Sequence, residues 1–389
     1  MSSISLSKDQ ERILQILMRW YNKKFPTPFL TVGGYAGTGK TTLISIFSNE
    51  IHRIDKKIKI AFVSYTGKAA RVLQNKLNEA KAVFKTDRVS TIHSLIYSPI
   101  ESKNGIIIGW KLKDDVPFNL IVVDEASMVD EKIWKDLLSY KIPILAFGDI
   151  GQLPPIGSTF NLMASPHLRL DQIHRQAENN PIIDLSIRAR TNGFIPYGTF
   201  GTNIKKLKKG DYDVFDLLDD IFTDTSKNTL ILCGYNNTRV KLNNYIRGKL
   251  GFESELPQRG DKVICLRNNH EKEIFNGMRG IIEKINSHDE NWYNTSIQIE
   301  DSYGLYEGKI YKKQFNNLEP INFTKNRMLA MGGDLFDFGY ALTVHKAQGS
   351  QAERVVLFEE RFSRMDDNDW KRWLYTAVTR AEKELIIIG

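Results

Sequence analysis

Residues 34–41 read GYAGTGKT and satisfy the pattern G-x-x-x-x-G-K-[ST] in full, after an apolar run at 29–33 (FLTVG) and at the head of a helical pattern. Gly34, Gly37 and Gly39 let the backbone curl until its N–H groups face a phosphate chain, and the helix N-terminus behind them adds favourable partial charge. Lys40 then reaches the β- and γ-phosphates, Thr41 ligates Mg²⁺, and Thr38 and Thr42 complete the loop. A second run, LIVVDEAS at 120–127, sends two carboxylates out of the C-terminal end of a buried strand, the end at which parallel sheets bind ligands. Asp124 suits Mg²⁺, and Glu125 suits orienting and deprotonating an attacking water. An isolated Asp-Glu pair would as readily cap a helix; the phosphate loop upstream favours chemistry. A third run, AFGDIGQLPPIG at 146–157, presents Gln152 where it can sense a γ-phosphate or position water, or serve as an ordinary turn residue. Pro154 and Pro155 stiffen that loop. The chemistry expected is phosphoryl transfer to water from a nucleotide held with Mg²⁺.

Such a site needs strands that all end on one rim. The apolar runs at 29–33, 58–64, 119–123 and 142–147 are short and do not alternate, as parallel strands covered on both faces do not. Each leads through a polar or Gly-rich turn to a helix, which gives an α/β, doubly wound domain. After about residue 170 the pattern restarts, with strands at 229–235, 353–358 and 384–389 and a helix at 237–250. Residues 4–20 have helical spacing, with Ile13, Leu14 and Leu17 on one face. Two segments depart from this pattern. Asn104-Gly105 between extended flanks marks a hairpin within 98–117. Short β-like stretches at 276–334 mark a small barrel-like insertion.

The length of 389 residues suits two or three domains, and 41% hydrophobic residues supply their cores. The formal charge of +8 suits a polyanionic partner met by a folded surface, since the lysines are dispersed. Cys233 and Cys265 read as buried free thiols, too few for a zinc site. No apolar run reaches membrane-spanning length and the N-terminus carries no signal-peptide core, so a soluble, cytoplasmic protein is expected, with no membrane partner.

The order of motifs resembles superfamily 1B DNA helicases of the RecD and Dda type. It is carried by GYAGTGKTT, YTGKAARVL (65–73), STIHSLIY (90–97), VVDEASMVD (122–130), FGDIGQLPPIG, LDQIHRQ (170–176), NGMRG (276–280), ALTVHKAQGSQ (341–351) and LYTAVTRAEKELII (374–387). The resemblance covers nearly the whole chain. It implies two RecA-like domains in tandem, with a β-hairpin inserted in the first and a small β-barrel-like insertion in the second. The bounds expected are 1–97 with 118–170, the hairpin 98–117, then 171–275 with 335–389, and the barrel 276–334.

The same resemblance implies residue roles. Arg175 and Arg380 would neutralise the γ-phosphoryl, as arginine fingers do. Gln10 would read adenine through its amide, and Gly349 and Gln351 would face the ribose and phosphates. Single-stranded DNA would meet Thr66, Lys68, Arg71, Thr91, His93, Thr343 and His345 through phosphate contacts and base stacking. Gly67 and Lys68 depart from the small residues or histidine more usual in Dda-like chains. The hairpin would be a strand-separating pin in which Ile106, Ile107, Ile108 and Trp110 wedge against a terminal base pair, or else pack the hairpin onto its domain. The implied activity is 5′-to-3′ translocation by a monomer on single-stranded DNA, with opening of single-strand/duplex junctions. An RNA-directed or protein-displacing translocase with weak unwinding is the alternative, and a P-loop kinase or nucleotide-gated binding module is a more distant one.

Overall fold

The computed structural model describes residues 6–101, 107–155, 160–172, 180–224, 226–269, 271–272, 274–300, 304–321 and 332–389. One compact unit takes in Met1–Ile100 and Gly109–Ile183, past the expected boundary at 170, and the second takes in Glu101–Ile108 and Asp184–Gly389.

The first unit is built on six parallel strands. From edge to edge they are Arg88–Thr91, Ile60–Ser64, Leu120–Asp124, Ile144–Gly148, Phe29–Gly34 and Leu168–Leu170. Alternate residues of one strand serve opposite cores. Leu120 and Val122 join Phe62, Phe147, Leu43 and Phe47 on one face, while Ile121 and Val123 join Val63, Ala146, Ile133 and Trp134 on the other. Burial on both faces is why these runs carry no polar alternation. The first helix begins at Lys8 rather than at residue 4 and ends at Asn22. Ser7 caps it, and Gln10 closes the reciprocal half of a capping box. Its apolar stripe Ile13, Leu17 and Trp20 lies in the first of these two cores.

The hairpin forms from Tyr97–Glu101 and Ile107–Leu112. At its base Lys113 N–H donates to Ile96 O at 2.8 Å, and Tyr140 Oη donates to Ile96 O and Lys113 O at 2.9 Å each. Trp110 is 42% exposed. Ile106 and the side chains of Ile107 and Ile108 lie outside the described residues.

The second unit carries the strand order Ala341–Thr343, Thr229–Cys233, Ala352–Phe358, Ala381–Ile388, Ile204–Leu207 and Gly198–Thr199. All its pairings are parallel except the last. It also holds an antiparallel sheet ordered Leu305–Tyr311, Trp292–Ile299, Arg279–Ser287, Lys262–Cys265 and Phe336–Phe338. That sheet begins and ends outside the expected bounds of 276–334. Its two edges meet, because Ile310 bridges to Asp334 just ahead of the last strand. Asp334 is held there by Tyr306 Oη at 2.8 Å and Asn269 Nδ2 at 2.9 Å. Cys233 and Cys265 are buried free thiols, and burial pushes each up to about 12. Among the described residues no helix is long and apolar enough to cross a membrane.

Candidate active site and nucleic-acid interface

The phosphate loop leaves the strand Phe29–Gly34 and enters the helix Lys40–Ile54. Gly37 and Gly39 sit at φ +79° and +74°, the left-handed region that side chains resist. Gly34 has a different reason for its size: a Cβ there would lie 2.6 Å from Thr38 Oγ1. Gly39 caps the helix with no side-chain acceptor, and the first turn holds no acidic residue. The N-terminal N–H groups therefore have no competing anion from their own helix. Lys40 Nζ donates to Gly34 O and Tyr35 O, both at 2.9 Å, and lies 3.9 Å from Asp149 Oδ2. Thr38 is buried and donates to Tyr35 O at 2.8 Å. Thr41 and Thr42 are half-buried in the first helical turn.

Gln10 was expected to face a base. It is fully buried, and its Nε2 donates to Thr38 O at 3.1 Å and Gly39 O at 3.4 Å, while its Oε1 accepts from Ser7 N at 2.9 Å. In this structure Gln10 braces the phosphate loop, because the capping box that starts its helix aims the amide there.

Asp124 and Glu125 emerge at the C-terminal end of their strand as expected. Glu125 has φ 53° and ψ 39°. A non-glycine residue in that region costs about 1–3 kcal/mol, a strain typical of functional positions. Its Oε2 is buried and has no hydrogen-bond partner; the same holds for Gln152 Oε1 and Ser127 Oγ. Gln152 Nε2 donates to Asp149 Oδ2 at 3.3 Å, and Gly151 N donates to Asp149 Oδ1 at 2.9 Å. Asp149 thus joins the Gln152 loop to Lys40. It stands in the run already singled out, but nothing in the sequence shows that it folds back onto the lysine. Orphaned buried oxygens beside an uncapped helix N-terminus fit a nucleotide with its metal. Thr41 and Asp124 are the side chains that would hold Mg²⁺, which characteristically keeps several waters and phosphate oxygens and needs few protein ligands.

Burial, and next the charge of Glu125, pushes Asp124 up to about 6. A metal must then displace a proton in mildly acid solution. Below about pH 6 the affinity for Mg²⁺-nucleotide should fall, by about tenfold per pH unit for a single proton. Calorimetry at pH 6 in buffers of different ionisation enthalpy should register proton release on binding. No release would place the metal elsewhere.

In the second unit Gly349 turns the 343–351 loop at φ +72°, and Gln351 is exposed. Arg380 is only 3% exposed. Its guanidinium donates to Ser350 O at 3.1 Å, Thr376 O at 3.0 Å and Thr379 Oγ1 at 3.2 Å. This arginine, expected to neutralise the γ-phosphoryl, is tied by these contacts to the loop end expected to face the nucleotide. Thr343 lies at the other end, where its Oγ1 accepts from Lys346 N at 3.4 Å. His345 is half-buried, and burial lowers its pKa below the usual histidine value. Lys346 Nζ donates to Asn276 Oδ1 at 3.1 Å, which links this loop to the NGMRG turn of the small sheet. Arg175 lies outside the described residues.

The expected nucleic-acid residues of the first unit share one rim of its sheet. Thr66 and Thr91 follow the adjacent strands Ile60–Ser64 and Arg88–Thr91, which are in register at Ser64 and Thr91. Both are helix caps, accepting from Ala69 N and Ser94 N at 3.1 Å each, which leaves their O–H groups as donors. Lys68 and Arg71 are half-buried in the helix Gly67–Glu79. His93 lies between two rings, with centroids 6.1 Å from Tyr65 and 5.4 Å from Tyr97. These tyrosines had no assigned role, although each stands in a quoted motif beside a chosen residue.

The fold is that of tandem RecA-like units, the first of which carries a phosphate-loop sequence. Residues 20–158 match the AAA domain model, and residues 338–388 match the UvrD-like helicase C-terminal domain. Over 380 residues the chain is 28% identical to the ATP-dependent RecD2 DNA helicase of Deinococcus radiodurans, covering 92% of this chain and 46% of that protein. The chain thus spans about half the length of that relative. It is 27% identical over 276 residues to the Dda DNA helicase of phage T4, covering 64% of this chain and 58% of that one. A Bacteroides Pif1 helicase solved with ADP-AlF3 and ssDNA superposes with a TM-score of 0.57 at 17% identity, covering 100% of this chain and 93% of the other. These matches make the chain similar to helicases of the RecD, Dda and Pif1 type.

Proposed function

We propose that the chain is an ATP-dependent DNA helicase that moves 5′-to-3′ on single-stranded DNA and separates duplex, driven by Mg²⁺-ATP hydrolysis. The observation that carries the hydrolytic half is the buried, unpartnered Glu125 carboxylate oxygen set on the same rim as an uncapped phosphate-loop helix. Bound Mg²⁺ supplies charge neutralisation to the β- and γ-phosphates. Lys40 exchanges its loop carbonyls for phosphate oxygens, Glu125 takes a proton from water, and Gln152 orients that water from a loop fixed by Asp149. Arg380 adds positive charge at the γ-phosphoryl. Thr66, Thr91 and Thr343 donate to DNA phosphates, and His93 and His345 stack on bases without reading sequence. The hairpin 98–117 acts as the pin, and the antiparallel sheet of the second unit guides the strand. The 5′-to-3′ reading rests on the order and identity of the motifs.

The test uses duplexes with a 5′ or a 3′ single-stranded tail, supplied with ATP and Mg²⁺. The expected result is separation of the 5′-tailed duplex alone. Opening of the 3′-tailed duplex alone would reverse the polarity. ATP turnover stimulated by RNA but not DNA strands would move the substrate to RNA.

A further inference from the structure

Three buried polar atoms near the phosphate loop have no hydrogen-bond partner: Glu125 Oε2, Gln152 Oε1 and Ser127 Oγ. Buried polar atoms in folded proteins are nearly always paired, so each such exception calls for an explanation, a catalytic role among them. Ser127 stands outside the expected site residues. It lies in the short helical turn Ala126–Met128 directly after Glu125, and is 2% exposed. Gln152 is 5% exposed.

The topology sets the turns that carry them side by side. The strands Leu120–Asp124 and Ile144–Gly148 are parallel neighbours, with Val123 opposite Ala146. Carrying that register two residues on sets Glu125 level with Gly148. The approach is close, since a Cβ on Gly148 would lie 3.0 Å from Ser127 N. Gly148 is followed by Asp149, whose carboxylate fixes Gln152 Nε2 and so fixes which face of the carboxamide carries Oε1. Ser127 therefore stands where the carboxylate turn meets the head of the glutamine loop.

The donor and acceptor capacities match one molecule. A carboxylate oxygen and a carboxamide oxygen accept, and a serine hydroxyl donates. Water donates twice and accepts twice. We propose that Ser127 is a third ligand of the attacking water: the water donates to Glu125 Oε2 and Gln152 Oε1 and accepts from Ser127 Oγ–H. Its remaining lone pair is then free to face the γ-phosphorus. As the lone pair forms the O–P bond, Glu125 takes one water proton and the β–γ bridging oxygen leaves with the electrons of the P–O bond. Ser127 keeps its own proton throughout. Its part is to remove the rotational freedom that two acceptors alone leave to the water. This inference rests on the proposed ATP hydrolysis.

The test is Ser127→Ala, which deletes one atom. Because the hydroxyl is orphaned without nucleotide, the nucleotide-free melting temperature should be unchanged or higher. In DNA-stimulated hydrolysis kcat should fall about tenfold with the KM for ATP unchanged, as for one interaction made only in the transition state. Adding Ser127→Ala to Glu125→Gln should cost little more than Glu125→Gln alone, since both act on one water. Unchanged kcat in Ser127→Ala, or a lower kcat together with a lower melting temperature and a raised KM, would overturn the proposal. Full additivity in the double variant would do the same. A wild-type chain that hydrolyses no ATP with any nucleic acid would overturn the hydrolytic reading itself, and this inference with it.

Discussion

Arg380→Ala should lower the kcat of nucleic-acid-stimulated ATP hydrolysis by about 10³–10⁵-fold, the range of an arginine finger. Phosphoryl transfer is catalysed mainly by positioning and by neutralising charge that develops on the γ-phosphoryl oxygens, so a fixed guanidinium contributes most in the transition state. Arg380 is suited to that role because its rotamer is held before nucleotide arrives. Contacts to Ser350 O and Thr376 O fix the fork, and a guanidinium has five N–H donors, so others remain. The same contacts predict a second effect. Alanine strands the carbonyl of Ser350, at about 1–3 kcal/mol for a group left unpaired, while Thr376 O keeps Thr379 Oγ1 at 3.1 Å, so the melting temperature should also drop. Arg380→Lys separates the two effects: it keeps the charge but loses the fork, and lysine is a poor substitute where planar geometry matters. A lysine variant with near-normal turnover would show that charge alone suffices. An alanine variant with normal turnover would remove Arg380 from the chemistry and leave it as the brace of the 349–351 turn. Binding of a fluorescent ATP analogue keeps either result distinct from loss of the nucleotide.

Lys40→Ala should lower ATP turnover by about 10²–10³-fold, as loss of one preorganised donor to a developing anion does, and should abolish strand separation. Without nucleotide the ammonium is held by Gly34 O and Tyr35 O, which are hydrogen-bond acceptors with no net charge to offset its own. Phosphate oxygens offer charge-assisted bonds in the same place, so the lysine moves a short way and gains. Asp149, buried 3.9 Å away, keeps the ammonium over the loop in the meantime. The fold should survive, because the two carbonyls that lose their donor border the half-open loop and water can replace it. Circular dichroism and a melt check that point. If Lys40→Ala separates a tailed duplex as well as the wild type, the hydrolytic mechanism is wrong.

Much of the fold and site could be read from the chain because each feature is local. Strands at 29–34, 120–124 and 144–148 followed from apolar runs that need no partner to be recognised. The phosphate loop followed from glycine spacing, and its glycines do adopt the backbone angles the pattern requires. Where the reading failed, the deciding contact joined residues far apart in sequence. The strand Ile204–Leu207 was missed because IKKL looks like a solvated stretch. Lys206 is nevertheless 4% exposed, its charge met by Glu359 at 2.5 Å and its amine set over the rings of Phe194 and Tyr197. The small sheet was placed too narrowly for a similar reason: its flanking strands, Lys262–Cys265 and Phe336–Phe338, pair only with each other and with Arg279–Ser287.

A phosphate cradle, two carboxylates at a strand end and a glutamine one strand over can be read from residue type and short spacing, since backbone curvature, charge and donor capacity belong to the residues themselves. Which of these groups are already satisfied depends on the folded contacts. The fold tied Gln10 to the phosphate loop, sank Arg380 against Ser350, and left Glu125, Ser127 and Gln152 each with an unmet hydrogen bond. The physical reason is that a hydrogen bond is made or left open by neighbours that the fold, not the chain order, supplies.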